Sequence, residues 1–111
     1  GAHDSGRVLN RLTFDNQVFG GMVMGVGFAM TEERVLDRQT GKMANANLHD
    51  YLIPTIGDVP PIETIQVEVP DPHGPFGAKG LGEHALIPTA PAILNAIRRA
   101  TLKWNLSSGT M

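Results

Sequence analysis

Wound as a helix, the stretch Val18 to Met30 is apolar nearly all round, with Met22, Met24, Val26, Phe28 and Met30 spread about the axis instead of gathered on one face. Such a helix keeps its apolar surface from water only when it is covered on all sides. Within it Gly21 and Gly25 stand one turn apart, and Ala29 follows at the same spacing. That stripe of small residues lets another backbone pack closely, at a cost of roughly 1 kcal/mol per interior Gly relative to Ala. The run is too short to cross a hydrocarbon core, which needs about 20 apolar residues. We read it as a helix from Gln17 to Met30, capped by Asp15 or Asn16 and buried in the finished protein.

A second constraint lies between Asp71 and Glu83, where Gly74, Gly77, Gly80 and Gly82 alternate with Pro72 and Pro75. Neither helix nor ladder survives that spacing, so the segment is a loop. With 13 Gly and 8 Pro in 111 residues, the chain is organised around tight turns and close backbone approaches. Arg7 to Asn10 reads as an opening strand, and Asp37 to Lys42 as a surface turn with Gly41 where positive φ is cheap. Asp50 to Thr55 reads as a short extended piece stopped by Pro54, before the rigid connector Gly57 to Pro61. The clearest strand is Thr64 to Val69, with Thr64, Gln66 and Glu68 expected outward. A second helix is expected from Pro88 or Thr89 to Ala100, with Thr89 as N-cap, Pro91 in the first turn and Arg98 and Arg99 at the C-terminal dipole. Its apolar face is Ala90, Ile93, Leu94 and Ile97. The expected fold is α+β, two helices on a small mixed sheet, with a loose tail from Lys103 to Met111.

Several functions are disfavoured directly. A net charge of -2, with both signs scattered, offers no basic stripe to a nucleic acid. The absence of Cys excludes a disulfide framework, a thiolate nucleophile and a Cys-ligated iron–sulfur cluster within this polypeptide. With no secretory signal before the apolar run, a cytoplasmic setting without membrane attachment is expected. Gly25-Val26-Gly27 fails the dinucleotide fingerprint because position 30 is Met, and Gly74 to Lys79 fails the phosphate loop because Ala78 precedes the Lys. His3, His49, His73 and His84 lack metal-ligand spacing and read as surface or capping residues, so no protein metal ligand is assigned. Ser5, Ser107 and Ser108 lack a nucleophile elbow, and Asn105-Leu106-Ser107 is a chance glycosylation match.

Glu83 stands out because it follows the Gly-rich loop and precedes the apolar Ala85-Leu86-Ile87-Pro88. Burial at such a junction favours the protonated carboxyl and suits the group to proton abstraction. The alternative is a first-turn glutamate that only complements a helix dipole.

Three motifs in order, Gln17-Val18-Phe19-Gly20-Gly21 with its continuation to Glu33, Leu48-His49-Asp50-Tyr51-Leu52-Ile53-Pro54-Thr55, and Gly74-Pro75-Phe76-Gly77-Ala78-Lys79-Gly80-Leu81-Gly82-Glu83, are followed by Ile87-Pro88-Thr89-Ala90-Pro91-Ala92-Ile93. Together they resemble the C-terminal part of the molybdopterin-binding large subunit of the xanthine dehydrogenase and aldehyde oxidase family. The likeness runs from about His3 to Thr101, so residues 1–101 are read as a molybdopterin-binding segment and 102–111 as a divergent tail. The resemblance implies that Glu83 is the general base at the molybdenum, that Gln17 contacts the cofactor, and that the backbone of Gly80, Leu81 and Gly82 approaches it. It also implies a fragment of a larger domain, because the family's subunits run to several hundred residues. The implied partners are the remaining cofactor-binding chain and an iron–sulfur subunit, possible FAD included, and the implied substrate is an aldehyde or N-heterocycle. The contrasting expectation is a non-catalytic truncated or isolated domain that self-associates through its uncovered surface.

Overall fold

A computed structural model describes residues 1–101 of the chain. The tail assigned to 102–111 lies outside the described residues. The chain begins with β1 (Ala2–Asp4), which pairs in parallel with β2 (Ile65–Val67) in the register Ala2 to Ile65, His3 to Gln66 and Asp4 to Val67. The sheet is therefore parallel and two-stranded, not mixed; the antiparallel contact beside it is a single bridge between Gly6 and Ala78. The opening strand also lies earlier than Arg7–Asn10. In that segment the Arg7 amide donates to the Gly77 carbonyl (2.9 Å) and the Val8 amide to Glu68 Oε1 (2.7 Å), which leaves no ladder to join.

The first helix, α1 (Arg11–Met30), starts six residues ahead of Gln17. Asn10 is extended and its side chain accepts from the Thr13 amide, so the cap falls there and not on Asp15 or Asn16. Asp15 instead pairs with Arg11 (2.9 Å) and accepts from the Thr64 hydroxyl (2.6 Å), tying the start of α1 to the residue before β2. The second helix, α2 (Leu86–Thr101), follows a short 3-10 turn at Glu83–Ala85. Thr89 is consequently inside α2, its hydroxyl donating to the Ala85 carbonyl (2.7 Å), and Pro91 lies in the second turn.

The small-residue stripe is where the helices meet. A Cβ on Gly21 would lie 2.9 Å from Ala85 Cβ and 3.0 Å from the Leu86 nitrogen, and one on Gly25 would collide with Thr89 Cβ. The buried apolar side chains among the described residues are Phe14 and Val18, both on α1. The turn at Asp37 to Lys42 forms as expected, closed by the Asp37 amide on the Lys42 carbonyl (2.8 Å) with Gly41 at φ 70°. Asp50 to Thr55 is not a strand; Tyr51 anchors it by donating to Glu32 Oε2 (2.6 Å).

Two expectations about burial are overturned. In β2 the polar Gln66 is half-buried while Ile65 and Val67 are exposed, so the strand presents its apolar side outward. In α1, Phe19, Phe28 and Met30 remain exposed, because α2 covers only the glycine stripe. No described helix is long and apolar enough to cross a membrane.

Candidate functional site

The Gly-rich loop is pinned at its start and middle. Asp71 Oδ1 accepts from the His73 amide (2.7 Å) and the Gly74 amide (3.2 Å), and the chain then reverses through a turn in which Phe76 and Gly77 both take positive φ, 54° and 82°. Glycine adopts that conformation without strain, whereas Phe76 is held in it by the turn bonds from Gly77 to Gly74 and Ala78 to Pro75. The reversal aims the Gly77 carbonyl at two donors, the Arg7 and Asp71 amides. The Lys79 amide then donates to the Ser5 carbonyl (2.7 Å), and Lys79 Nζ meets Asp4 Oδ2 at 2.6 Å. Asp4 is itself placed by β1, and its Oδ1 accepts from the amides of Gly6 (2.9 Å) and Val69 (3.2 Å).

Beyond Lys79 the main-chain bonds to the β1 segment stop. A Cβ at Gly80 or Gly82 would meet nothing within 4 Å, and neither glycine has positive φ. Nothing in this chain's own packing demands glycine at either position. Glu83 opens the 3-10 turn before α2 and is exposed, which corrects the expectation of burial: its glycine neighbours carry no side chains to cover it.

Gln17 is exposed on α1 and lines a cleft of about 280 Å³ with Thr13, Arg7, Ala78, Lys79 and Leu81. The fold thus brings Gln17 and Leu81 to one cleft although 64 positions separate them (81 minus 17). Gly80, Gly82 and Glu83 are outside that lining. A second cleft, about 390 Å³ and mainly apolar, is lined by both α1 and α2 and has His3 and His84 among its walls. Their rings lie 4.9 Å apart, and His3 Nε2 is buried without a partner. Burial first, and then His84, lowers the His3 pKa, with Asp4 opposing. His3 is therefore half-buried, not a surface residue. No group of three metal-ligating side chains occurs among the described residues.

Sequence reasoning missed the Asp4–Lys79 pair. Its partners are 75 residues apart, and only their opposite charge connects them in the sequence.

Residues 1–60 match the model of the molybdopterin cofactor-binding domain. The chain is 48% identical over 99 residues to the xanthine dehydrogenase molybdenum-binding subunit of Escherichia coli O157:H7, an alignment covering 89% of this chain and 13% of that one. It is 40% identical over 98 residues to the aldehyde oxidoreductase molybdenum-binding subunit PaoC of Escherichia coli K12, with 87% and 13% covered. The chain belongs to the molybdopterin cofactor-binding family. Among solved structures, quinoline 2-oxidoreductase from Pseudomonas putida 86 superposes with a TM-score of 0.84 at 36% identity, over 91% of this chain and 13% of that one.

As a member of that family, the chain spans about one eighth of the length of these relatives, and it corresponds to a small part of a molybdenum-binding large subunit. Its residues fit the cofactor on structural grounds. Gly80 and Gly82 leave their main chain bare on the open side of the loop, and Gln17 adds a free amide, with both a donor and an acceptor, to the adjoining cleft. The absence of side chains at Gly80 and Gly82 leaves room for a group to approach that backbone without displacing a side chain.

Proposed function

We propose that this chain supplies the proton acceptor and one wall of the molybdopterin pocket in a molybdenum hydroxylase. Glu83 is the general base, Gln17 and the backbone of Gly80, Leu81 and Gly82 hold the cofactor, and the whole enzyme hydroxylates an aldehyde or N-heterocycle with water as oxygen source. The observation that carries the reading is the shared cleft of Gln17 and Leu81 beside a glycine backbone that the chain's own packing leaves bare, two residues before Glu83. When bound, the molybdenum cofactor supplies the redox chemistry, taking up the two electrons that the substrate carbon loses. Glu83 accepts a proton at its carboxylate as the new carbon–oxygen bond forms. The remaining cofactor-binding chain covers Glu83 and excludes water, which favours proton transfer by stripping competing solvent from the carboxylate. Electrons leave through iron–sulfur centres, with FAD, on partner subunits, because this chain has no Cys. The setting is the cytoplasm.

The test is Glu83→Gln in the assembled holoenzyme. The substitution keeps shape and most hydrogen bonding but removes the proton acceptor, so kcat should fall by about 100- to 10,000-fold with substrate binding retained. Near-normal kcat at full molybdenum occupancy would remove the catalytic assignment.

A second reading has support in the exposed apolar side chains of α1 and β2, Phe28, Met30, Ile65 and Val67 among them. In it the chain is a truncated or isolated domain that associates with copies of itself and carries no activity.

A further inference from the structure

Among the polar groups that the proposed reaction leaves unused are the His3–His84 contact, the Tyr51–Glu32 bond beyond the end of α1, and the Asp4–Lys79 pair. The last ties the loop to β1 on the N-terminal side of Glu83. Four interactions converge on the Asp4 end of that loop. Asp4 Oδ2 receives Lys79 Nζ, Asp4 Oδ1 receives the Gly6 and Val69 amides, and the Lys79 amide bonds the Ser5 carbonyl. Ser5 and Gly6 are buried, and a Cβ on Gly6 would run into the Gly77 carbonyl, so the main chains of the two segments are in direct contact. On the far side of Glu83 the chain is fixed again at Ala85, whose Cβ packs over Gly21. Between Lys79 and Ala85 the glycines contribute no side chain, and the Gly82 amide reaches only His84 Nδ1, at 3.3 Å.

Glu83 thus sits between two points held by main-chain contact, Lys79 and Ala85, and between them only Leu81, in the Gln17 cleft, and His84, against His3, add side-chain contacts. We propose that Asp4 is a positioning residue: by clamping Lys79 to the β1–β2 pair it fixes the N-terminal support of the Glu83 loop. The proposal rests on Glu83 being the base. Asp4 does not touch the reacting atoms and acts only through Lys79. A carboxylate is suited to the role because its two oxygens serve different elements at once, one taking the ammonium and the other the amides of Gly6 and Val69. Loss of the charge on either partner removes the side-chain part of the clamp and loosens the loop, while the bonds of the Lys79 amide to Ser5 and of the Arg7 amide to Gly77 remain.

The experiment uses the assembled holoenzyme with Asp4→Asn, Lys79→Met and the conservative Lys79→Arg, and compares each with Glu83→Gln. Amide hydrogen exchange of the peptide 76–83, read by mass spectrometry, should accelerate about tenfold in Asp4→Asn and Lys79→Met, the scale expected when a hydrogen bond to a charged group is lost. In the same proteins kcat should fall about 10- to 100-fold with KM and molybdenum content unchanged, because misplacing a catalytic group by about 1 Å costs up to two orders of magnitude. Lys79→Arg should restore most of both. Unchanged exchange in Asp4→Asn and Lys79→Met overturns the clamp. Faster exchange with normal kcat, or a fall in molybdenum content that accounts for the lost activity, overturns the positioning role. Normal kcat in Glu83→Gln removes the catalytic reading, and the exchange data then still decide whether Asp4 anchors the loop. If Asp4→Asn yields no assembled protein, Lys79→Met gives the same two readouts with the β1 carboxylate intact.

Discussion

Asp4 holds its proton weakly because its charged form is the one the fold binds. The Lys79 ammonium first, and then the amides of Gly6 and Val69, lower its pKa from 3.8 to about 2. The sign follows from linkage: the unfolded chain takes up the proton at higher pH than the folded one, so the carboxylate's contribution is fully present above about pH 4 and is lost as pH falls through 2. Asp4→Asn should therefore be less stable than the wild type at pH 6, and the difference should shrink progressively between pH 4 and 2. Acid-unfolding curves of the two proteins check this, and curves that stay parallel down to pH 2 would show that the pair does not stabilise the fold. Asp15, lowered by the Thr64 hydroxyl and then by Arg11, acts in the same direction at the start of α1. Its partners are exposed or half-buried, which keeps the effect small.

Between elements, the contact of α1 with α2 depends on hydrogen atoms where other residues carry carbon. At Gly25 an added methyl would overlap Thr89 Cβ, whereas at Gly20, in the same helix, it would meet nothing within 4 Å. Gly25→Ala should destabilise the 111-residue chain by about 1–3 kcal/mol, the usual cost of forced overpacking. Gly20→Ala should stabilise it by about 0.5–1 kcal/mol, because a helix-interior Gly loses more backbone entropy on folding than Ala. Urea unfolding of the two variants at one protein concentration separates these outcomes. Equal effects at both sites would mean that α2 does not rest on the stripe. The apolar side of β2 shows the same dependence on neighbours, since parallel pairs are normally covered on both faces and here only one face has a cover.

The described residues form a body that is extended for their number. Its Cα radius of gyration is 17.8 Å, where about 13 Å is expected of a compact domain of this size. Its two buried apolar side chains among the described residues, Phe14 and Val18, make a small core. Phe28 at 56% and Met30 at 60% exposure are surfaces built to be covered. Purified alone, the 111-residue chain should self-associate through them and carry no stoichiometric molybdenum, because a buried cofactor needs walls on several sides. Sedimentation showing a strict monomer at high concentration, or metal analysis finding one molybdenum per chain, would contradict this.

Features whose causes are local are legible in the residues alone. The Gly21–Gly25 spacing announced a close helix crossing, the glycines and prolines from Asp71 to Glu83 announced a loop, and Asp37 to Lys42 announced a turn. Steric and torsional rules act over a few residues, so these are legible without the fold. The three quoted motifs likewise sufficed for the family, now shown by the matching domain model and the relatives. What the tertiary structure decided is everything that depends on residues distant in the chain. Thr64 holds Asp15 near the start of α1, and α1 begins at the Asn10 cap; β2 turns its apolar side outward because Gln66 faces the body of the chain. The 75-residue separation of Asp4 from Lys79 hides their pairing from any local pattern. The exposure of Glu83 has the same origin, since burial of a side chain is set by the walls around it, and the residues next to it in sequence are glycine and histidine, not walls.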